Sequence, residues 1–166
     1  HGPIDLVLDV RGDSLSCVRA VDAAWHRFVT LLSELVRELT WLRQHVAELQ
    51  HHVFSSPVAQ RMHRAAAQAA CAAPDGFVTP MAAVAAGVAQ ELLSCMQLPG
   101  VTKAYVNNGG DIALYLQPGE SWRLGVVSDL ARAVAGLSVS EEGLPELTPD
   151  GAFFIAADLQ IGRAHV

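Results

Sequence analysis

Asn107, Asn108, Gly109, Gly110 and Asp111 place two amides, two glycines and a carboxylate in one run of five residues. The polar groups can hydrogen-bond a ribose or a purine edge, or meet a metal, while the glycines let the backbone approach a ligand or take positive φ. The same string between two β-like runs is also hairpin chemistry, and the residues alone leave both readings open. It lacks the later glycine of a dinucleotide fingerprint, and no Lys-Ser/Thr follows it as in a phosphate loop. A second candidate is Thr79-Pro80-Met81-Ala82-Ala83-Val84. Thr79 is the expected N-cap of a helix there, Pro80 suits its first turn, and the amides of Met81 to Val84 would form an anion site if solvent reaches them. A capped, buried helix start is the alternative. The sequence holds no serine elbow, Cys–His signature or zinc-protease motif.

Other chemistry-bearing residues carry less. His45, His51, His52 and His63 are spaced by six, one and eleven, which is not zinc-type spacing, and they read as surface histidines. Cys17, Cys71 and Cys95 are odd in number and far apart in apolar helical settings. They read as buried reduced thiols of a cytoplasmic protein. Arg11-Gly12-Asp13 reads as a turn after a strand, not as an adhesion signal.

Several elements must position these residues. Ile4 to Val10 is rich in branched residues and reads as a strand. From Ser14 onward, apolar Leu15, Val18, Val21, Trp25, Phe28, Leu32, Leu35 and Leu39 recur at three- and four-residue steps, which predicts a long amphipathic helix over Ser14 to Glu38. Its other face, with Arg19, Asp22, Arg27, Glu34 and Arg37, is expected in solvent. A polar-aromatic connector over Trp41 to Ser56 precedes an Ala-rich helix, Val58 to Ala73, capped by Ser55 or Ser56. Phe77 to Thr79 is a short extended piece. A third helix, Met81 to Leu93, carries almost no charge before Gln90-Glu91, so it is expected to be buried on most sides, with Gly87 marking a close backbone approach. Ala104 to Asn107 and Ile112 to Leu116 read as strands joined by the Asn-Gly-Gly-Asp turn. Further strands are expected at Trp122 to Val127, Leu137 to Val139 and Gly151 to Ala156. The order is α+β, with long helices on a mainly antiparallel sheet.

Composition bounds the partners. The chain has 166 residues, 51% hydrophobic, enough for one domain with a real core. Its 11 Lys+Arg against 17 Asp+Glu leave a net charge of −6 with no basic stripe, so no nucleic acid and no anionic membrane is expected as partner. The weakly polar stretch Ala65 to Met96 is broken by Pro74, Asp75, Gly76 and Pro80, which excludes a single membrane-spanning helix there.

Taken together, the two candidate stretches resemble a known family. Ala89-Gln90-Glu91-Leu92-Leu93 followed by Pro99-Gly100-Val101-Thr102-Lys103-Ala104-Tyr105-Val106-Asn107-Asn108-Gly109-Gly110-Asp111-Ile112 looks like the helix–strand–Gly-Gly-Asp unit of the ApbE superfamily, the FAD:protein FMN transferases. The closer match is to an uncharacterised cytosolic ApbE-like branch, similar to His1-Gly2-Pro3-Ile4-Asp5-Leu6 and to Thr79-Pro80-Met81-Ala82-Ala83-Val84-Ala85. The resemblance implies a T-fold-like architecture, a flavin nucleotide (FAD or FMN) and, in the transferases, a Mg²⁺ that helps split the FAD pyrophosphate. It places Asn107, Asn108, Gly109, Gly110 and Asp111 at the nucleotide, with Thr79, Pro80, Met81 and Ala82 across from them. Where the transferases carry Lys-Gly-Tyr-Ala-Val-Asp, this chain reads Ala82-Ala83-Val84-Ala85-Ala86-Gly87, so methyl and hydrogen stand for the Lys and Asp side chains. Whether the chain is an enzyme stays open, with catalytic residues and metal ligands unassigned. The alternative is a non-catalytic flavin carrier or a homo-oligomeric assembly protein built on the Ala-rich helices.

The final residues, Ile161-Gly162-Arg163-Ala164-His165-Val166, resemble one reading frame of a sequencing adapter. The expectation is a single domain over 1–160 that lacks its C-terminal part, including most metal ligands, followed by a foreign tail at 161–166.

Overall fold

A computed structural model describes residues 4–72 and 76–122, and the backbone of two short strands at 137–139 and 145–147. The chain divides into two compact units, His1–Gln117 and Pro118–Val166.

The first unit is α+β. Strand β1 (Leu6–Gly12) leads into helix α1 (Ser14–Arg37), a single helical turn α2 (Leu39–Leu42) and a 3-10 turn at Val46–Leu49. Helix α3 (Pro57–Ala72), a 3-10 turn at Pro80–Ala83 and helix α4 (Val84–Met96) precede strands β2 (Val101–Asn108) and β3 (Asp111–Leu116). The strands form an antiparallel sheet in the order β1-β2-β3. Leu8 pairs with Val106 and Val106 with Ala113, so alternate residues of all three strands share one face. That face carries buried Ala104, Val106 and Ala113 and, at its edge, Leu6, Leu8 and Val10. Helix α4 packs across β2 and β3, and against α1 and α3.

In the second unit β4 (Leu137–Val139) pairs antiparallel with β5 (Pro145–Leu147). The strand expected at Leu137 to Val139 is therefore present. Of the strand expected at Trp122 to Val127 only Trp122 is described, and it is not in a strand; residues 123–127, the strand expected at 151–156 and the tail at 161–166 lie outside the described residues.

The β1–α1 junction shows why Arg11-Gly12-Asp13 stands where it does. Asp13 caps α1 by accepting from the Ser16 amide at 2.9 Å, and this bond holds its carboxyl below the usual range. Its own amide donates to the Gly100 carbonyl at 3.0 Å, while the Ser16 hydroxyl donates to the Pro99 carbonyl at 2.7 Å. Gly12, at φ +150°, lies so close that a Cβ would sit 2.0 Å from the Gly100 oxygen. Arg11 pairs with Asp9 at 2.9 Å. The turn expected over the whole tripeptide is corrected: Arg11 and Gly12 continue β1, and Asp13 alone forms the link into α1.

Helix α1 has the expected bounds but a different buried face. Ala20, Ala24, Phe28, Leu31 and Leu35 are buried, whereas Leu15, Val18, Val21 and Trp25 are exposed. The apolar arc of α1 is wider than a single stripe. Ala20 and Ala24, with small side chains, let the helix approach its neighbours on one side of the arc, leaving the bulkier side outward. An apolar groove of about 240 Å³ opens where the two sides of the arc meet, lined by Leu6 and Leu8 of β1, Val21, Trp25 and Phe28 of α1 and Leu92 of α4.

Gly87 performs the close approach expected of it. It is buried where α4 crosses α3, and a Cβ there would lie 3.0 Å from Met62 Cγ and 3.6 Å from Val58 Cγ1. The cysteine expectation is corrected: Cys71 is exposed, and Cys17 and Cys95 are only half-buried. Cys71 lies in the last turn of Ala-rich α3, on its exposed side. Among the described residues no helix is long and apolar enough to cross a membrane.

Candidate functional site

Helix α4 and the β2–β3 hairpin bring the two candidate stretches together. Asn108 pairs with Asp111 across the end of the ladder, leaving Gly109 and Gly110 as a two-residue turn. Their φ values of 62° and 106° lie where L side chains are strained, which accounts for both glycines. A Cβ on either would meet nothing within 4 Å, so the space in front of the turn is open. Gly109, Gly110 and Asp111 are exposed. Asn107 is half-buried, and its Oδ1 accepts from the Gly110 amide at 2.9 Å, closing the turn from the side.

Asn108 points the other way. It is only 8% exposed, and its Nδ2 donates to the Ala85 carbonyl in the first turn of α4 at 3.2 Å. Residues more than twenty positions apart in sequence are thereby tied at one end of the sheet.

The start of α4 departs from expectation. Thr79 is extended (φ −115°, ψ 156°) and its side chain caps nothing, although its carbonyl accepts from the Ala82 amide at 3.0 Å. Pro80 to Ala83 form a 3-10 turn, and the α-helix begins at Val84 instead of Met81. Pro80 sets the first turn, and a tighter turn at a helix entrance satisfies amides that an α-helix would leave open. Ala82 and Val84 donate to Thr79 and Met81 in this way. The expected row of free amides from Met81 to Val84 is therefore partly used within the turn. Pro80 is buried, Thr79 and Met81 are half-buried, and Ala82 is exposed.

In these two stretches Asp111 is the single carboxylate. It can accept hydrogen bonds from hydroxyl or amine groups, or face a cation. Among the described residues no group of three or more His, Cys, Asp or Glu converges as a metal site. The described residues thus offer Mg²⁺ no ligand cluster. The open turn does suit a planar or sugar group laid against the backbone.

A second polar cluster lies one helix face away. Arg27 and Glu34 of α1, expected in solvent, are drawn inward by Glu91 of α4. The Arg27 guanidinium donates twice to Glu34 at 2.8 Å and, through Nε, to Glu91 at 2.7 Å. Arg61 of α3 donates to the other Glu91 oxygen at 2.8 Å. Hydrogen bonds from Arg27 hold Glu34 below its ordinary pKa, and Arg27 is raised by the same bonds. Burial pushes Glu91 up, but the bonds from Arg61 and Arg27 outweigh it and leave it lowered. The signal in sequence was Glu91 itself, a lone carboxylate in an otherwise apolar helix.

Next to this network Glu38 accepts from the Ser55 and Ser56 amides at 2.7 and 3.0 Å, so a carboxylate sits at the entrance of α3. The Ser56 carbonyl accepts the first helical bond of α3 from the Gln60 amide at 2.9 Å, and its hydroxyl donates to Glu34 at 3.3 Å. Of the histidines expected at the surface, His51 is exposed while His45, His52 and His63 are half-buried. His52 stacks on Trp41 with ring centroids 4.3 Å apart and meets Phe54 edge-on at 4.5 Å, His63 packs against the same Phe54 ring, and His45 stacks on Phe77.

No curated protein matches the chain. Residues 1–162 match the family described as AbpE bacteria, and the chain belongs to that family.

Proposed function

We propose that this chain binds a flavin nucleotide, FAD or FMN, where the Gly109-Gly110 turn meets the start of α4, in an ApbE-like, T-fold-like architecture. The observation that carries this reading is the Asn108–Ala85 hydrogen bond. It joins the two sequence stretches whose resemblance to the ApbE superfamily suggests a nucleotide site. The turn presents backbone without side chains, fitting close approach of a ring or ribose. Asp111 would accept hydrogen bonds from ligand hydroxyl or ring N–H groups, and by the same resemblance Thr79 and Ala82 would line the opposite side.

Bound flavin would supply the redox-active or transferable group. This chain's own residues bind and orient it. Residues 79–87 contain no titratable side chain, which favours a carrier role over bond-making by the transferase route.

The test is titration of the purified protein with FMN and FAD, followed by flavin fluorescence quenching. Saturable quenching is expected, and Asp111→Ala should weaken it about tenfold, the loss of one charge-assisted hydrogen bond. Absence of quenching by either flavin refutes the reading. Mg²⁺-dependent release of AMP from FAD would add catalysis, whereas binding without AMP marks a carrier.

A further inference from the structure

We infer that Asn108 is a positioning residue, which docks the hairpin onto α4 and leaves ligand contact to its neighbours. This deepens the flavin reading and rests on it for the ligand, although the docking role stands on geometry alone. The two adjacent asparagines have divided tasks. Asn107 turns its Oδ1 to the Gly110 amide and so shapes the turn itself. Asn108 turns inward, is 8% exposed, and donates to the Ala85 carbonyl at 3.2 Å.

A buried side-chain amide without a partner is costly, so this bond accounts for an amide at that position. Ala85 lies in the first turn of α4, and a carbonyl with two lone pairs can accept from a side chain as well as from the helix. Asn108 also pairs with Leu6 on β1 and Asp111 on β3, at the end of the central strand. One side chain therefore sets the distance between the open glycine turn and the 3-10 turn over Pro80 to Ala83. What remains for a ligand on the hairpin is Asp111, the Asn107 amide nitrogen and the glycine backbone, a set that suits hydroxyl and ring N–H groups better than a bare phosphate.

The experiment compares wild type with Asn108→Asp, which keeps the shape but sets an acceptor against the Ala85 carbonyl, and with Asn108→Ser, a milder change whose donor is too short to reach. Amide exchange is measured without ligand, and the exchange of Leu8 to Val10 in β1 reports that the sheet is folded. Both variants should exchange faster by about tenfold at Gly110 and in the first turn of α4, the loss of roughly one hydrogen bond. FMN titration then follows. Positioning predicts an affinity weakened about tenfold with the visible absorption band of the saturated complex unchanged. Unchanged exchange at both segments overturns the docking role. A shifted band in the saturated variant complex overturns it in favour of direct flavin contact. If wild type binds no flavin, the flavin reading fails while the exchange comparison still decides the role of Asn108.

Discussion

Replacing Glu91 with Ala should destabilise the helical layer by about 3 kcal/mol. The side chain is 11% exposed and receives two charge-assisted hydrogen bonds, from Arg27 at 2.7 Å and Arg61 at 2.8 Å. Such bonds are worth roughly 1.5–3 kcal/mol each when both partners are desolvated. Two reductions apply. Arg61 is 36% exposed, so water replaces much of what it loses. Arg27 keeps its two bonds to Glu34. Against this, Arg27 is only 17% exposed and would hold a charge matched by one carboxylate instead of two. Urea unfolding followed by circular dichroism measures the loss. At about 4 °C per kcal/mol for a unit of this size, the melting temperature should fall by about 12 °C. Glu91→Gln, which keeps shape and one acceptor, should cost about half as much. The pH dependence follows from the direction of the shifts. Glu34 and Glu91 both lie below the ordinary 4.5 when folded, so their contribution is complete above that value and is lost as pH falls through the lower folded values. The difference between wild type and Glu91→Gln should therefore shrink on acidification below pH 4.5. A loss under 1 kcal/mol for Glu91→Ala at neutral pH, or a difference independent of pH, would refute the reasoning.

Gly87→Val should cost about 1–3 kcal/mol, since its branches would enter the side chains of Met62 and Val58. Gly87→Ala should be near neutral, because a Cβ 3.0 Å from Met62 Cγ offsets a helix-propensity gain of about 1 kcal/mol; equal losses for the two variants would contradict the packing account. Gly12→Ala places a methyl 2.0 Å from the Gly100 oxygen and should cost about 3 kcal/mol, so a thermal melt matching wild type would show that the junction relaxes. Iodoacetamide at pH 8 should alkylate exposed Cys71 well before Cys95, whose thiol is pushed up by burial and then by the Glu91 charge. Equal rates in mass spectrometry would speak against that environment.

Elements whose signals are local are legible in the chain alone. Ser14 to Arg37 is helical because apolar residues recur at its period, and Asp13 can cap it. Gly109-Gly110 turns because only glycine takes both positive φ values without strain. Gly87 marks a close crossing because an isolated glycine in a long apolar helix has little other use. The AbpE-family match over residues 1–162 is likewise a property of the sequence. Tertiary structure decided which of several locally equivalent options was used. The wide apolar arc of α1 could bury either side, and contact with β1 and α4 selected Ala20, Ala24 and Phe28 over Val18 and Trp25. Arg27 and Glu34 look like solvent residues until Glu91 arrives from another helix to desolvate and pair them. Asn107 and Asn108 are identical in type and adjacent in sequence. Only the ladder, which sends successive side chains to opposite faces, makes one the brace of a turn and the other the link to α4.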